Sequence, residues 1–331
     1  MDVDAFSAVH QAEWDRLRQL TRRRRLTGPE ADELVGLYQS TATHLSMVQS
    51  AAPDPTLVAR LSALLARGRV AIAGGHDPSW SDVAEFVGRR LPAALYRIRW
   101  WTVAVGLAFC GIAAVAGWWV ASNPEAQATL GTPAELQRYA DEAFEAYYSA
   151  SPAPSFAAQV WTNNAWIAAQ AVGLGITGAF PVWVLAQNAV AVGAAGGVMA
   201  EYDRLGVFLG LILPHGLLEL TAIFVAGAAG LRIFWSWIAP GEVTRGRSVS
   251  RESRALVTVA LGLVGVLGTA GLLEAFVTPS GLPGPGKVVI GSLALGAFVA
   301  YVLVLGRRAA RAGYTGDLEE DQAGYQPVTA G

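Results

Sequence analysis

The segment Leu213-Pro214-His215-Gly216-Leu217-Leu218-Glu219 decides the fold, because it places two ionisable residues inside a long apolar stretch. Residues 205–230 contain no other ionisable side chain, and a helix of that length spans a bilayer. His215 and Glu219 are four residues apart, so they share one face of the helix. A carboxylate at membrane depth is costly unless it is paired, protonated or hydrated. The two residues are therefore a candidate functional core, and the simpler interpretation is that His215 neutralises Glu219, or bonds a neighbouring helix, and only fixes helix packing.

The composition of the whole chain indicates an integral membrane protein. Of its 331 residues, 53% are hydrophobic and 15% are charged, whereas soluble domains carry about 25% charged residues. The formal net charge of -2 argues neither for a nucleic-acid partner nor for a strongly charged one, and no nucleic-acid partner is expected. The single cysteine, Cys110, excludes an intrachain disulfide and a cysteine metal site. Residues 1–25 are charged and lack the apolar core of a cleavable signal peptide, so the first span is expected to act as the targeting signal.

Residues 1–97 are predicted to form a cytoplasmic helical domain. Apolar residues recur at helical spacing in three segments, which are separated by Thr27-Gly28-Pro29 and by Pro53 and Pro55. The stripe of the first segment comprises Phe6, Val9, Trp14, Leu17 and Leu20. Residues 79–97 are predicted to be an amphipathic helix on the membrane surface, and the basic run at 22–25 is a further candidate contact with anionic lipid headgroups.

Residues 98–306 are predicted to form a membrane domain of about six helices, so the fold class is an all-α polytopic membrane protein. The predicted spans are 100–121, two within 156–200, 205–234, 255–277 and 288–306. An external segment at 122–155 carries a predicted amphipathic helix. Arginines flank one side of the spans, and the positive-inside rule then predicts a multi-pass protein of the bacterial plasma membrane with both termini cytoplasmic. Residues 307–331 are predicted to be a disordered acidic cytoplasmic tail.

The uncharged stretch from 156 to 200 leaves two interpretations open. It fits two full spans divided near Phe180-Pro181, because Pro181 cannot continue a hydrogen-bonded helix. It also fits a broken, re-entrant pair of helices, which is tolerated where protein or water satisfies the backbone. The amides of Asn163, Asn164 and Asn188 are expected to bond neighbouring helices, and a polar cavity is the alternative.

The order of several motifs resembles the stage II sporulation protein M family of integral membrane proteins. These motifs are Asn163-Asn164 followed by glycines at 173–178, Gln187-Asn188, Pro214-His215-Gly216-Leu217-Leu218-Glu219, the small-residue run at 226–231, and Leu273-Glu274-Ala275-Phe276-Val277-Thr278-Pro279. The resemblance covers about residues 10–306. It implies a polytopic membrane scaffold that works with other envelope proteins, such as those that degrade peptidoglycan. It also implies partners among other envelope membrane proteins and a MoxR-type ATPase system.

Three functions are compatible with the sequence. The first is a scaffold for a peptidoglycan-remodelling or membrane-biogenesis complex, which needs contact surfaces rather than chemistry, and a homo-oligomer is compatible with it. The second is a permease or flippase subunit that uses the polar groups of the middle spans. The third is an intramembrane hydrolase in which His215, Glu219 and Glu274 ligate a metal. Neither a phosphate-binding loop nor a His-Glu-x-x-His motif occurs, so a role without a cofactor and without catalysis is favoured.

Overall fold

The computed structural model describes residues 3–23, 26–51, 54–72, 80–149 and 153–317. These residues form helices joined by short turns, and no strand occurs among them, which confirms the predicted all-α class. The chain divides into two compact units, whose described residues are 3–72 and 80–317. The boundary lies at residue 79, so the predicted surface helix at 79–97 belongs to the second unit rather than to the N-terminal one.

The N-terminal unit consists of three helices around one apolar core. They are α1 (Val3–Leu20), α2 (Gly28–Ala51) and α3 (Pro55–Ile72). Trp14, Leu17 and Leu61 are fully buried between them. Val9, part of the predicted stripe, is instead 72% exposed. The buried stripe of α1 is therefore narrower than the sequence pattern predicted, because α2 and α3 cover only one side of this helix.

The second unit, the membrane unit, contains all the remaining helices. These are α4 (Trp80–Glu85), α5 (Leu91–Arg97), α6 (Arg99–Ser122), α7 (Pro124–Leu130), α8 (Pro133–Arg138), α9 (Phe144–Ser149), α10 (Ala153–Gly173), α11 (Ala179–Glu201), α12 (Leu205–Ile238), α13 (Arg245–Phe276), α14 (Gly284–Ala300) and α15 (Gly306–Arg311). Short π-helical turns at Phe86–Arg90, Tyr139–Ala143 and Tyr301–Leu305 continue α4 into α5, α8 into α9, and α14 into α15.

Five helical segments of the described chain are long and apolar enough to cross a membrane. They are Arg99–Ser122, Ala179–Glu201, Leu205–Ile238, Arg245–Phe276 and Gly284–Arg311. The predicted second span corresponds to α10, which is less apolar and is not among the five. The multi-pass class is therefore confirmed. Whether α10 is a sixth span depends on its direction relative to its neighbours.

Contacts along α10 show that it runs beside the middle of α12. Asn164 of α10 bonds Glu219 of α12. Further along both segments, Gly175 in the turn that follows α10 packs against Gly230 of α12. The two helices are thus parallel over about three turns. The contact of Arg204 with Asp141 places the end of α11 beside the segment that precedes α10. Helices α10 and α11 therefore cross the unit in opposite directions, which favours two full spans over a re-entrant pair.

The division between α10 and α11 lies earlier than the sequence predicted. A single 3-10 turn at Gly175–Thr177 separates them, and Gly178, with φ 64°, begins α11. Pro181 lies within the first turn of α11, where a missing N–H costs no helical hydrogen bond. The break therefore falls a few residues before Phe180-Pro181, close to where the sequence predicted it. Glycine supplies the turn because it adopts positive φ without strain.

Arginines and acidic residues mark the two ends of the membrane unit. The acidic end is formed by residues 124–149 and the turn at 202–204. The hydroxyl of Tyr202 links the two segments by donating to the backbone carbonyl of Pro133. The arginine-rich end includes Arg97, Arg232, Arg251, Arg254 and Arg308. Helix α5 packs into this end, where its Leu91 side chain lies against Gly262.

The predicted surface helix and tail also meet at the arginine-rich end. Trp80 is 89% exposed, whereas residues 91–95 of α5 are buried, so only the first part of the helix offers an apolar face to its surroundings. Within the predicted disordered tail, Asp317 accepts two hydrogen bonds from Arg254, at 2.8 and 3.1 Å. Residues 318–331 lie outside the described residues, so disorder there stays a prediction.

Candidate functional site

Five buried polar residues meet between α10, α12 and α13, and we call them the polar cluster. They are Asn164 on α10, His215 and Glu219 on α12, Glu274 on α13, and Thr278 just after α13. Each is at most 9% exposed. These side chains lie on helices whose remaining surface is apolar. The apolar surface faces the membrane or other spans, so the polar side chains are turned towards one another.

Glu219 bonds the amide of α10. Asn164 Nδ2 donates to Glu219 Oε1 and also to the backbone carbonyl of Val160, at 3.1 Å. A buried amide that donates to a carboxyl group satisfies two polar groups with one contact. This contact ties α10 to α12 near the middle of the unit.

His215 joins α12 to the end of α13. A hydrogen bond of 3.2 Å connects His215 Nδ1 and Thr278 Oγ1, and His215 Nε2 lies 3.6 Å from Glu274 Oε1. Lys287 Nζ donates to the backbone carbonyl of Thr278 at 2.6 Å. Each ring nitrogen of His215 therefore faces an oxygen atom from α13 or from the residues just after it.

The structure thus gives His215 and Glu219 different partners. The sequence left open whether His215 neutralises Glu219 or bonds a neighbouring helix. Glu219 bonds Asn164 while His215 contacts Thr278 and Glu274, which favours the second interpretation. The spacing of four residues fixes a common face and not a common partner. The polar cluster is consequently a bridge across three helices rather than a pair on one.

Glu274 keeps one unsatisfied atom. Glu274 is only 2% exposed, and its buried Oε2 has no hydrogen-bond partner among the described residues. Unpaired buried carboxyl oxygens are rare because removing them from water is costly. This atom is the one feature of the polar cluster that packing alone does not explain.

The other two predicted amides lie outside the polar cluster. Asn163 is exposed and lines an open cavity of about 700 Å³ with Tyr147, Gln159 and Trp166. Asn188 is half-buried on α11, which packs chiefly along α6. Sequence reasoning missed Lys287 as a site residue. The sequence did single out this residue, because it is the only lysine of the chain.

The geometry does not support a metal site at the polar cluster. The ligand atoms of His215, Glu219 and Glu274 do not form a group within 4.8 Å of one another, whereas such a group among the described residues is His10, Glu13 and His44 of the N-terminal unit. An intramembrane metal hydrolase would need at least three converging protein ligands. The arrangement of the polar cluster therefore favours hydrogen bonding between helices over metal chemistry.

The group in the N-terminal unit has the contacts of an aromatic core. The rings of His10 and His44 pack in a tilted arrangement with centroids 3.9 Å apart, and Trp14 Nε1 donates to His44 Nδ1 at 3.2 Å. With Nδ1 accepting, a neutral His44 carries its proton on Nε2, so neither nitrogen is free to bind a metal. Burial lowers the pKa of His44 and favours this neutral form.

Replacing Asn164 with alanine should destabilise the membrane unit by about 1 kcal/mol, because a buried carboxyl group loses its donor on a neighbouring helix. Asn188→Ala is the matched control, since its side chain is only half-buried and should cost less. Unfolding in mixed micelles measures both changes. Equal losses for the two variants would contradict the assigned role of Asn164.

An all-α unit with multiple spans and a polar cluster between them defines a polytopic membrane protein. A family model described as stage II sporulation protein M matches residues 106–279, which include the whole polar cluster, and the chain belongs to this family. A second model, a domain of unknown function (DUF8413), matches residues 4–74. No curated protein and no solved structure matched the chain. The resemblance inferred from the motifs is thereby confirmed over residues 106–279, whereas the N-terminal part is matched by the second model.

Proposed function

We propose that this protein is a scaffold that organises a complex of the bacterial cell envelope for peptidoglycan remodelling or membrane biogenesis. One observation carries the proposal: polar side chains of the membrane unit bond one helix to another, as Asn164 does to Glu219. Groups used in this way hold a framework in a single shape. A scaffold needs such a rigid membrane unit and a surface that its partners can bind.

The N-terminal unit is the proposed partner-binding part. It has its own buried core and its own family model, which are the properties of a separate module. It also exposes apolar side chains, with Val9 72% and Val70 68% exposed. Exposed apolar groups on a small helical unit favour binding to another protein. The proposed partners are other envelope membrane proteins and a MoxR-type ATPase system.

Co-purification from native membranes tests the proposal. The full chain should retain a reproducible set of envelope proteins in mild detergent, and a variant without residues 1–79 should lose those that bind from the cytoplasm. Val9→Glu with Val70→Glu is a finer variant, because both positions are exposed and the core is left unchanged. A partner set that is the same in all three proteins would contradict the assignment of binding to this unit.

The arginine-rich end is proposed to face the cytoplasm, as the positive-inside rule predicts. With Cys110 replaced by serine, cysteines at two exposed positions, Glu142 and Glu242, report the two ends. An impermeant thiol reagent should label Glu142→Cys in intact cells and Glu242→Cys only after permeabilisation. The opposite labelling would invert the proposed orientation.

A permease or flippase subunit is the second candidate function, and it is favoured by the unpartnered Oε2 of Glu274. A buried carboxyl group with a free acceptor could take up a proton or bind a polar substrate. Glu274→Gln decides between the two functions. A scaffold should keep its partners and its biological activity, whereas a carrier should keep its partners and lose activity.

A further inference from the structure

Two arginines share one carboxylate at the arginine-rich end of the membrane unit. Arg97 Nη2 donates to Glu252 Oε2 at 2.9 Å, and Arg232 Nη2 donates to Glu252 Oε1 at 3.4 Å. The Nε atom of each arginine is buried and has no hydrogen-bond partner among the described residues. One carboxylate therefore leaves the hydrogen-bonding capacity of two guanidinium groups partly unused.

The local charge is also unbalanced. Arg251, exposed on α13 beside Glu252, adds a third positive charge that acts on Arg97. The nearby Arg254 is already paired with Asp317. Three arginines against the single carboxylate of Glu252 leave a net charge of +2. Such a site attracts an anion, and arginine forks bind phosphate in a bidentate manner.

Tryptophans place this site at the depth of lipid headgroups. The rings of Trp101 and Trp235 pack with centroids 6.0 Å apart, close in sequence to Arg97 and Arg232. Trp100 is 69% exposed, and Arg99 lies over its ring and over that of Tyr96. Tryptophan and tyrosine concentrate at the membrane–water interface. The unused guanidinium groups therefore lie where phospholipid phosphates lie.

The shape of the site favours a lipid over a free anion. The cavity between Arg97, Arg232 and Glu252 has a volume of about 10 Å³, which holds about one water molecule and not a phosphate group. Its remaining lining is apolar and includes Ile98 and Leu256. The buried Nε atoms are therefore out of reach of a phosphate, which would bind the exposed parts of the two side chains, 20% of Arg97 and 34% of Arg232. The acyl chains of its lipid would lie along the apolar surface of the spans.

We propose that Arg97 and Arg232, assisted by Arg251, bind the phosphate of an anionic phospholipid at this end of the membrane unit. Glu252 holds the two guanidinium groups together and leaves their outer edges for the phosphate. Basic pockets between membrane helices are known to bind anionic headgroups in this way. The lipid would tie α5, α12 and α13 together at the membrane surface.

The test uses the purified full-length chain in detergent, with phosphatidylglycerol, phosphatidylcholine or inorganic phosphate added. Phosphatidylglycerol should raise the melting temperature more than phosphatidylcholine does, and inorganic phosphate should have no effect. Arg97→Gln and Arg232→Gln should each lose about half or more of this increment. Arg308→Gln is the matched control, because it removes an exposed arginine from the same end and should keep the increment.

Two further variants keep the test decisive if removal of a buried guanidinium prevents folding. Arg97→Lys retains the charge and should keep part of the increment. Arg251→Gln changes an exposed residue and should lose a smaller, measurable share. Equal increments in the Arg251, Arg232 and Arg308 variants would overturn the proposal. An equal rise with inorganic phosphate would also overturn it, since the site would then bind a free anion.

Discussion

Replacing Gly230 with alanine is expected to destabilise the membrane unit by about 2 kcal/mol or more. A methyl group at this position would collide with the backbone carbonyl of Ala171. The facing residue, Gly175, is also too close for a side chain, since a Cβ atom there would lie 2.7 Å from the Cα atom of Gly230. Backbone atoms cannot move aside as a flexible side chain can, so α10 would have to shift away from α12. That shift would also weaken the bond between Asn164 and Glu219.

Gly210→Ala on the same helix is the matched control for this prediction. Apart from the backbone of its own helix turn and its chain neighbours, no atom lies within 4 Å of a Cβ built on Gly210, and alanine favours a helix over glycine by up to about 1 kcal/mol. The control should therefore leave the melting temperature unchanged or raise it slightly. Equal melting temperatures of the Gly230 and Gly210 variants would show that α10 does not pack closely against α12.

Replacing His215 with leucine is expected to cost about 2 kcal/mol. The change removes the group next to Thr278 Oγ1 and next to Glu274 Oε1. Glu274 Oε1 would then lose its contact with the imidazole ring, while Oε2 already has no hydrogen-bond partner among the described residues. Leucine is apolar and fits a helix, so the loss would come from the polar groups left behind.

A second substitution shows which partner matters. Glu274→Leu added to His215→Leu should recover most of the lost stability, because a buried polar pair replaced by apolar groups is nearly neutral. Glu219→Leu added to His215→Leu should give no recovery, since Glu219 bonds Asn164 instead. A double-mutant cycle on the free energy of unfolding measures both couplings. Coupling of His215 to Glu219 but not to Glu274 would contradict the assigned contacts.

Most of the fold could be predicted from the sequence, because apolar length and arginine placement are local signals. The span over α12 and the helices of the N-terminal unit follow from such patterns. The break between α10 and α11 could be placed only approximately. Pro181 marked its neighbourhood, but a proline in the first turn of a helix is tolerated, and the chain turns at Gly178, just before it.

The members of the polar cluster could be predicted, but their partners could not. A carboxylate within an apolar stretch stands out in any sequence, and so do His215 and Glu274. Which groups meet depends on how α10 and α13 pack against α12, and residues as far apart as Asn164 and Glu219 carry no pairing signal in one sequence. Glycines with close backbone contacts, such as Gly230, decide that packing.

The measurement that tests the scaffold proposal most directly is complementation of a deletion strain by the His215→Leu/Glu274→Leu chain. Its melting temperature has to match that of the unchanged chain first, so that folding and function are separated. If the polar cluster only holds helices together, this variant should restore growth and resistance to envelope stress as fully as the unchanged chain. A folded variant that fails to restore them would contradict the scaffold proposal and would favour transport through the polar cluster.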